Sequence, residues 1–264
     1  MRSYREGFAA GENVVVREDE PVDSVGFDFA IHRLRAGERH EERSRKESVW
    51  ILVTGEARVS CGGEAHVVRR ASIFDELPAA LSASAHTPVA IESLSDSEWA
   101  VARVTNERSF PPRLFAPEDV VDELRGAGLA QDMSVRSVRL VFDRRERPES
   151  SLVVGEVVSL PGRWSSYPPH HHAQPELYHY RFTEPQGYGH AELGEHVFKV
   201  RPNDTIKIMG GEDHAQVSAP GYGMYYLWIV RHLRDQPYQG FDFAPEHAWL
   251  LDPKNQGWRP RGDR

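Results

Sequence analysis

Short apolar runs broken by turn residues dominate the chain, and the spacing of their apolar positions is rarely helical. Val49-Trp50-Ile51-Leu52-Val53 is followed by Thr54-Gly55-Glu56, then Ala57-Arg58-Val59-Ser60-Cys61, then Gly62-Gly63. This pattern predicts strand, turn, strand, turn. Ala65–Val68, Val89–Leu94 and Ala100–Val104 continue it. In the second half, Leu152–Leu160, Glu176–Phe182, His196–Val200, Thr205–Met209 and Met224–Val230 are further strand candidates. Many short strands with glycine and proline between them predict an all-β sandwich or barrel with only short helices. Sheets closed on themselves would leave no aggregation-prone edges.

Phe110-Pro111-Pro112 marks the expected boundary between two units, residues 1–112 and 113–264. Pro117-Glu118-Asp119 reads as the opening of a short helix over Val120–Arg125, ended by Gly126-Ala127-Gly128. Arg144–Ser151 reads as an exposed charged loop, and the tail after Pro245 as irregular structure.

Composition then narrows the function. The 264 residues carry a formal net charge of −8. The one basic-looking stretch, Arg33–Lys46, is interleaved with Glu38, Glu41 and Glu42, so no phosphate cradle is expected and nucleic acid is not an expected partner. No apolar run of about 18 residues exists, so no membrane span is expected. The polar start, Met1–Glu6, lacks the apolar core of a signal peptide, and Cys61 is the single cysteine. Both suit a cytoplasmic setting. Cys61 itself is expected as a small, buried strand residue. The oligomeric state, including a homo-oligomer, is left open.

The chemistry concentrates between Gly162 and His214. In His170-His171-His172 the outer two imidazoles share a strand face and His171 points the other way. Glu176 opens the next strand after Pro175, where a hairpin would bring its carboxylate beside them. His214 follows the turn Gly210-Gly211-Glu212-Asp213. A lone His-x-His is weak evidence, since three consecutive histidines also arise on surfaces. The spaced Glu176 and the downstream Gly211-x-x-His214 make a four-ligand site, His170, His172, Glu176 and His214. Three imidazoles and one carboxylate suit a divalent metal, Zn or Mn first, with Fe, Ni or Co also compatible.

Gly162-x7-His170-x-His172-x3-Glu176 with Gly211-x-x-His214 resembles the paired motifs of cupins. Trp164-Ser-Ser-Tyr-Pro-Pro-His170, Glu176-Leu-Tyr-His-Tyr-Arg181-Phe182, Pro185-Gln-Gly-Tyr-Gly189 and Ala219-Pro-Gly-Tyr-Gly-Met-Tyr-Tyr-Leu227 are similar to the 5-deoxyglucuronate isomerases of bacterial inositol breakdown. Ser72-Ile-Phe-Asp75, Leu94-Ser-Asp96 and Phe110–Gly128 extend the similarity into the first half. The resemblance implies two tandem cupin-type jelly-roll barrels, the second holding the metal on His170, His172, Glu176 and His214; the first is expected to be metal-free, since its histidines lack ligand spacing. It implies an aldose–ketose isomerisation of an open-chain uronate, giving a 5-dehydro-2-deoxygluconate. Leu129–Arg136 and the short hairpin Glu192–Glu195 depart from the family pattern and are expected to shape the substrate pocket.

Isomerisation through an enediol needs a Lewis acid on the oxygens and a group that carries the proton. Tyr178 and Tyr180 share the strand face of Glu176 by period two and are the catalytic candidates, with buried core tyrosines as the plainer alternative. Arg181, His190, Gln216 and Tyr226 are the substrate-binding candidates. Lys207 and Arg163 are alternatives for the substrate carboxylate. His32, His40, His66 and His86 in the first unit show no ligand spacing. A cupin dioxygenase using Fe or Ni and a non-catalytic sugar-binding cupin are the competing functions.

Overall fold

The structure is a computed structural model and describes residues 1–260. Residues 261–264, the end of the expected second unit, lie outside the described residues.

Each half is a sandwich of two sheets in jelly-roll order. In the second half the chain alternates between layers. Leu152–Ser159, Glu176–Phe182, Asp204–Ile208 and Met224–Arg231 join one seven-stranded sheet. The intervening Trp164–His171, Gly189–Leu193, His196–Val200 and His214–Ser218 join a five-stranded one. The first half alternates likewise, and its two layers share one long strand, Glu47–Cys61. The expectation that each sheet closes on itself is not met: among the described residues, free edges remain at Gly11–Val16 and Val121–Arg125.

Burial explains why the apolar runs are nearly continuous. The seven-stranded sheet of the second half packs against the first half, so both its faces are covered. Tyr225, Leu227 and Ile229 meet Phe29, Ile31, Val49 and Ile51 in a core between the halves. Met224 and Tyr226, on the other face, join Tyr178 and Tyr180 in the core of the second sandwich. Val49 and Ile51 likewise face the other half, while Trp50 and Leu52 fill the first sandwich.

Two local expectations are corrected. Val120–Arg125 is not a helix. Val121–Arg125 is an exposed strand paired antiparallel with Arg136–Leu140. Six residues are too few to sustain a helical nucleus, and the adjacent sheet edge offers hydrogen-bond partners. Thr54-Gly55-Glu56 is not a turn but part of the continuous strand Glu47–Cys61, just past a bulge at Val53 where the register slips between Leu52 and Thr54. The Arg144–Ser151 loop is only partly exposed: Arg147 and Ser150 are buried, and Ser150 donates to Glu47 of the first half.

Arg113–Phe115, just past the expected boundary, pairs with Ala80–Ser82 of the first half. Arg2–Ser3 pairs with Asp204–Thr205 of the second. The first strand of each expected unit therefore pairs with a strand of the other.

Candidate metal centre

Two neighbouring loops bring the ligand candidates together. His172 follows the strand Trp164–His171, and the Gly211 amide donates to the His172 carbonyl at 2.8 Å. Gly210 makes this approach possible, because a Cβ there would lie 2.0 Å from the Ala173 carbonyl oxygen. His214 is cross-strand partner of His170, and Glu176 starts the facing strand. Pro168 and Pro169 fall where the ladder between Trp164–His171 and His214–Ser218 is interrupted, so their missing N–H groups cost no pairing.

His172, Glu176 and His214 converge. One ligand atom from each lies within 4.8 Å of the other two, and all three are buried. His172 Nε2 is 3.2 Å from Glu176 Oε2, and His214 Nε2 is 3.5 Å from the same oxygen. His170 stands beside them, its ring 4.4 Å from that of His214, but falls outside the closest three. His171 points the opposite way and pairs with Asp213 at 2.7 Å, following the alternation of strand side chains.

The electrostatics separate the three imidazoles. Burial, reinforced by His214 and His172, pushes the His170 pKa down to about 2. Burial also lowers His214, against the opposing pull of Glu176. Burial acts the same way on His172, but the hydrogen bond and charge of Glu176 outweigh it and leave that pKa raised. His214 Nε2 is buried without a hydrogen bond. An orphaned imidazole nitrogen beside a buried carboxylate is what a cation site requires. The donor set also fits a borderline divalent metal. His172, Glu176 and His214 could hold one, with His170 adjacent.

His170, His172 and Glu176 line a cavity of about 240 Å³. Tyr178 and Tyr226 line it as well. Tyr178 Oη lies 3.5 Å from Ser166 Oγ, which is 3.3 Å from Tyr226 Oη, itself bonded to Ser165. Burial holds the Tyr178 pKa well above its ordinary value. Tyr180 sits behind, donating to Gln216 Oε1, and both are fully buried. His190 is exposed on the strand Gly189–Leu193 and does not line the cavity. Arg181 points to the first half, where it pairs with Glu98 and covers Phe8. Lys207 pairs with Glu20 at 2.8 Å, and Arg163 contacts the Met133 sulfur.

Sequence reading missed the cover of the site. Tyr238 presents an edge to His172 at 5.1 Å, and Phe241 lies 4.1 Å from His170, ring to ring. Gln174 anchors this segment by donating to the Gln236 carbonyl at 2.7 Å. Its cluster of Tyr238, Phe241 and Phe243 was the available signal. Arg136 was not singled out, although it closes the segment Leu129–Arg136 that was expected to shape the substrate pocket.

In the first half, the His32 and His40 rings lie tilted to each other with centroids 4.4 Å apart, packed against Trp50, and His40 Nε2 is 3.4 Å from Glu42. Arg103 ties up Glu42 and Glu12. Among the described residues no helix is long and apolar enough to cross a membrane.

Known proteins share this organisation. A protein called 5-deoxy-glucuronate isomerase from Geobacillus kaustophilus is 28% identical over 256 residues, covering 88% of this chain and 89% of its own. One of the same name from Bacillus subtilis is 28% identical over 250 residues, with coverages of 87% and 89%. The crystal structure of an IolB-like protein from Salmonella typhimurium superposes with a TM-score of 0.81 at 24% identity, covering 93% of this chain and 97% of that one. An oxalate decarboxylase from Lactobacillus farciminis shares the fold with a TM-score of 0.68 at 13% identity, covering 93% and 87%. The model of the KduI/IolB family matches residues 2–250, and the chain belongs to that family.

Proposed function

We propose that this chain is a metal-dependent ketol-isomerase that converts 5-deoxyglucuronate to 5-dehydro-2-deoxygluconate. The buried convergence of His172, Glu176 and His214 on one point beside a cavity carries this reading. The name borne by the relatives supplies the substrate. Zn or Mn is the metal proposed, with His170 completing the ligand set.

A divalent metal here would act as a Lewis acid on the carbonyl and neighbouring hydroxyl oxygens. The chain's own residues do the rest. Tyr178, kept protonated by burial, donates a hydrogen bond to a substrate oxygen. Ser166 and Tyr226 continue from it as a chain of hydroxyls along which a proton can be passed. Tyr180 and Gln216 brace the wall behind. Tyr238 and Phe241 cover the imidazoles and exclude water, which lengthens the life of an enediol.

Proton NMR of 5-deoxyglucuronate incubated with zinc-loaded protein tests the reading. Wild type is expected to form the ketose, and His172→Ala to be slower by about 1000-fold. Equal conversion by both proteins would remove the metal from the mechanism. Conversion by neither, with oxygen uptake instead, would replace the isomerase by an oxygenase.

A further inference from the structure

We propose that Arg136 binds the substrate's carboxylate and so decides which end of the sugar acid meets His172, Glu176 and His214. The inference rests on the isomerase reading for its substrate and deepens it.

Arg136 opens the strand Arg136–Phe142, and by period two Arg136, Val138 and Leu140 all line the cavity. Its Nη1 donates to the Ser134 carbonyl at 2.8 Å, which orients the guanidinium. Its Nε is buried without a hydrogen bond. Among the described residues no carboxylate lies within 4.0 Å of it. The other cavity-lining arginines are committed: Arg125 to Glu123 at 2.8 Å, Arg145 to Asp143 at 2.9 Å. Arg181 and Lys207, the natural candidates from sequence, are paired with acids of the first half.

The neighbour across the ladder sharpens the point. Arg125 is the cross-strand partner of Arg136. Like charges directly opposite are destabilising, so an anion bound there relieves a repulsion built into the apo protein. Burial lowers the Arg136 pKa, a sign of how little water solvates the charge. Arg136 lines the same cavity as His170, Tyr178 and Tyr226. A planar guanidinium with free donors matches a carboxylate through two parallel hydrogen bonds. A neutral sugar would leave those donors buried and unpaired, so the site discriminates against it.

The test compares the uronate with its uncharged primary amide, using zinc-loaded wild type, Arg136→Met and Arg136→Lys. Arg136→Met is expected to lose about 100-fold in kcat/KM on the acid, mostly in KM, and less than about threefold on the amide. Arg136→Lys keeps the charge but not the fork, so its acid-only loss is smaller, about tenfold. Thermal melts check that each variant folds, and Arg136→Lys carries the test if Arg136→Met does not. Equal losses on acid and amide, or none on either, overturn the assignment. If wild type converts neither compound, the isomerase reading fails, and calorimetric titration of D-glucuronate into the zinc-loaded proteins decides on Arg136 alone. Weaker binding by the variants supports it there; unchanged affinity overturns it.

Discussion

Imidazoles placed a few ångströms apart meet opposite environments here. His172 has Glu176 as hydrogen-bond partner, whereas His170 has other imidazoles and little water. The same physics acts far from the cavity. His32 is buried beside His40, and its pKa is lowered to about 4, first by desolvation and then by that neighbour. Folded His32 therefore refuses a proton that the unfolded chain accepts from about pH 6.5 downward. Above pH 6.5 both states are neutral at this site and it contributes no pH dependence. Between about pH 6.5 and 4 the folded state loses about 1.4 kcal/mol per pH unit from this one group. Urea melts across that range are expected to show His32→Asn with a slope shallower by one proton. An unchanged slope would mean that His32 does not stay neutral.

At the scale of elements, the longest strand works because it is bent. Glu47–Cys61 serves the layer facing the second half with its first residues and the outer layer with its last. The bulge at Val53 and the positive φ of Gly55, +105°, make the transfer. A Cβ on Gly55 would stand 2.4 Å from the Asp96 carbonyl oxygen and 2.7 Å from Ser97 Cα. Backbone atoms cannot yield as a flexible side chain does. Gly55→Ala is expected to destabilise the protein by at least about 2 kcal/mol, through strain and displacement together. Denaturant midpoints at constant m-value would measure it. The same transition in the sequence reads as a turn, because Thr-Gly-Glu between two apolar runs has the composition of one.

Over the whole molecule, the halves are joined by a charged bolt as well as an apolar core. Arg70 of the first half donates to both oxygens of Glu156 at 2.8 and 2.7 Å, and neither side chain is exposed. Tyr225 donates to the same carboxylate at 2.7 Å. Arg139 of the second half reaches back to the carbonyls of Ile73 and Phe74. Removing one partner strands a buried charge, whereas removing both does not. Arg70→Met is expected to cost about 3–5 kcal/mol, and Arg70→Met with Glu156→Leu to recover much of that. Denaturant melts of the two proteins would show it; equal losses would mean the pair is not coupled. Leu177, Tyr225, Leu227 and Ile229 share one core with Phe29, Ile31, Val49 and Ile51 of the first half, so a single denaturant transition is expected for both halves.

The sequence by itself determined the all-β class, most strand positions in the second half, and the four metal-ligand candidates. Those features are local: alternation, turn residues and a fixed spacing along one strand suffice to read them. It also placed Tyr178 and Glu176 on one face, because a strand's period admits no alternative. Tertiary structure decided the rest. Val120–Arg125 became a strand only because a sheet edge stood beside it. Arg181 was drawn to Glu98 and lost to the cavity, and His190 was left outside on an exposed strand. Tyr238, Phe241 and Arg136 reach the cavity from segments with no spacing relation to the histidines. Which charge finds a partner, and which stays free for a ligand, depends on contacts between residues distant in sequence, and a one-dimensional pattern does not contain them.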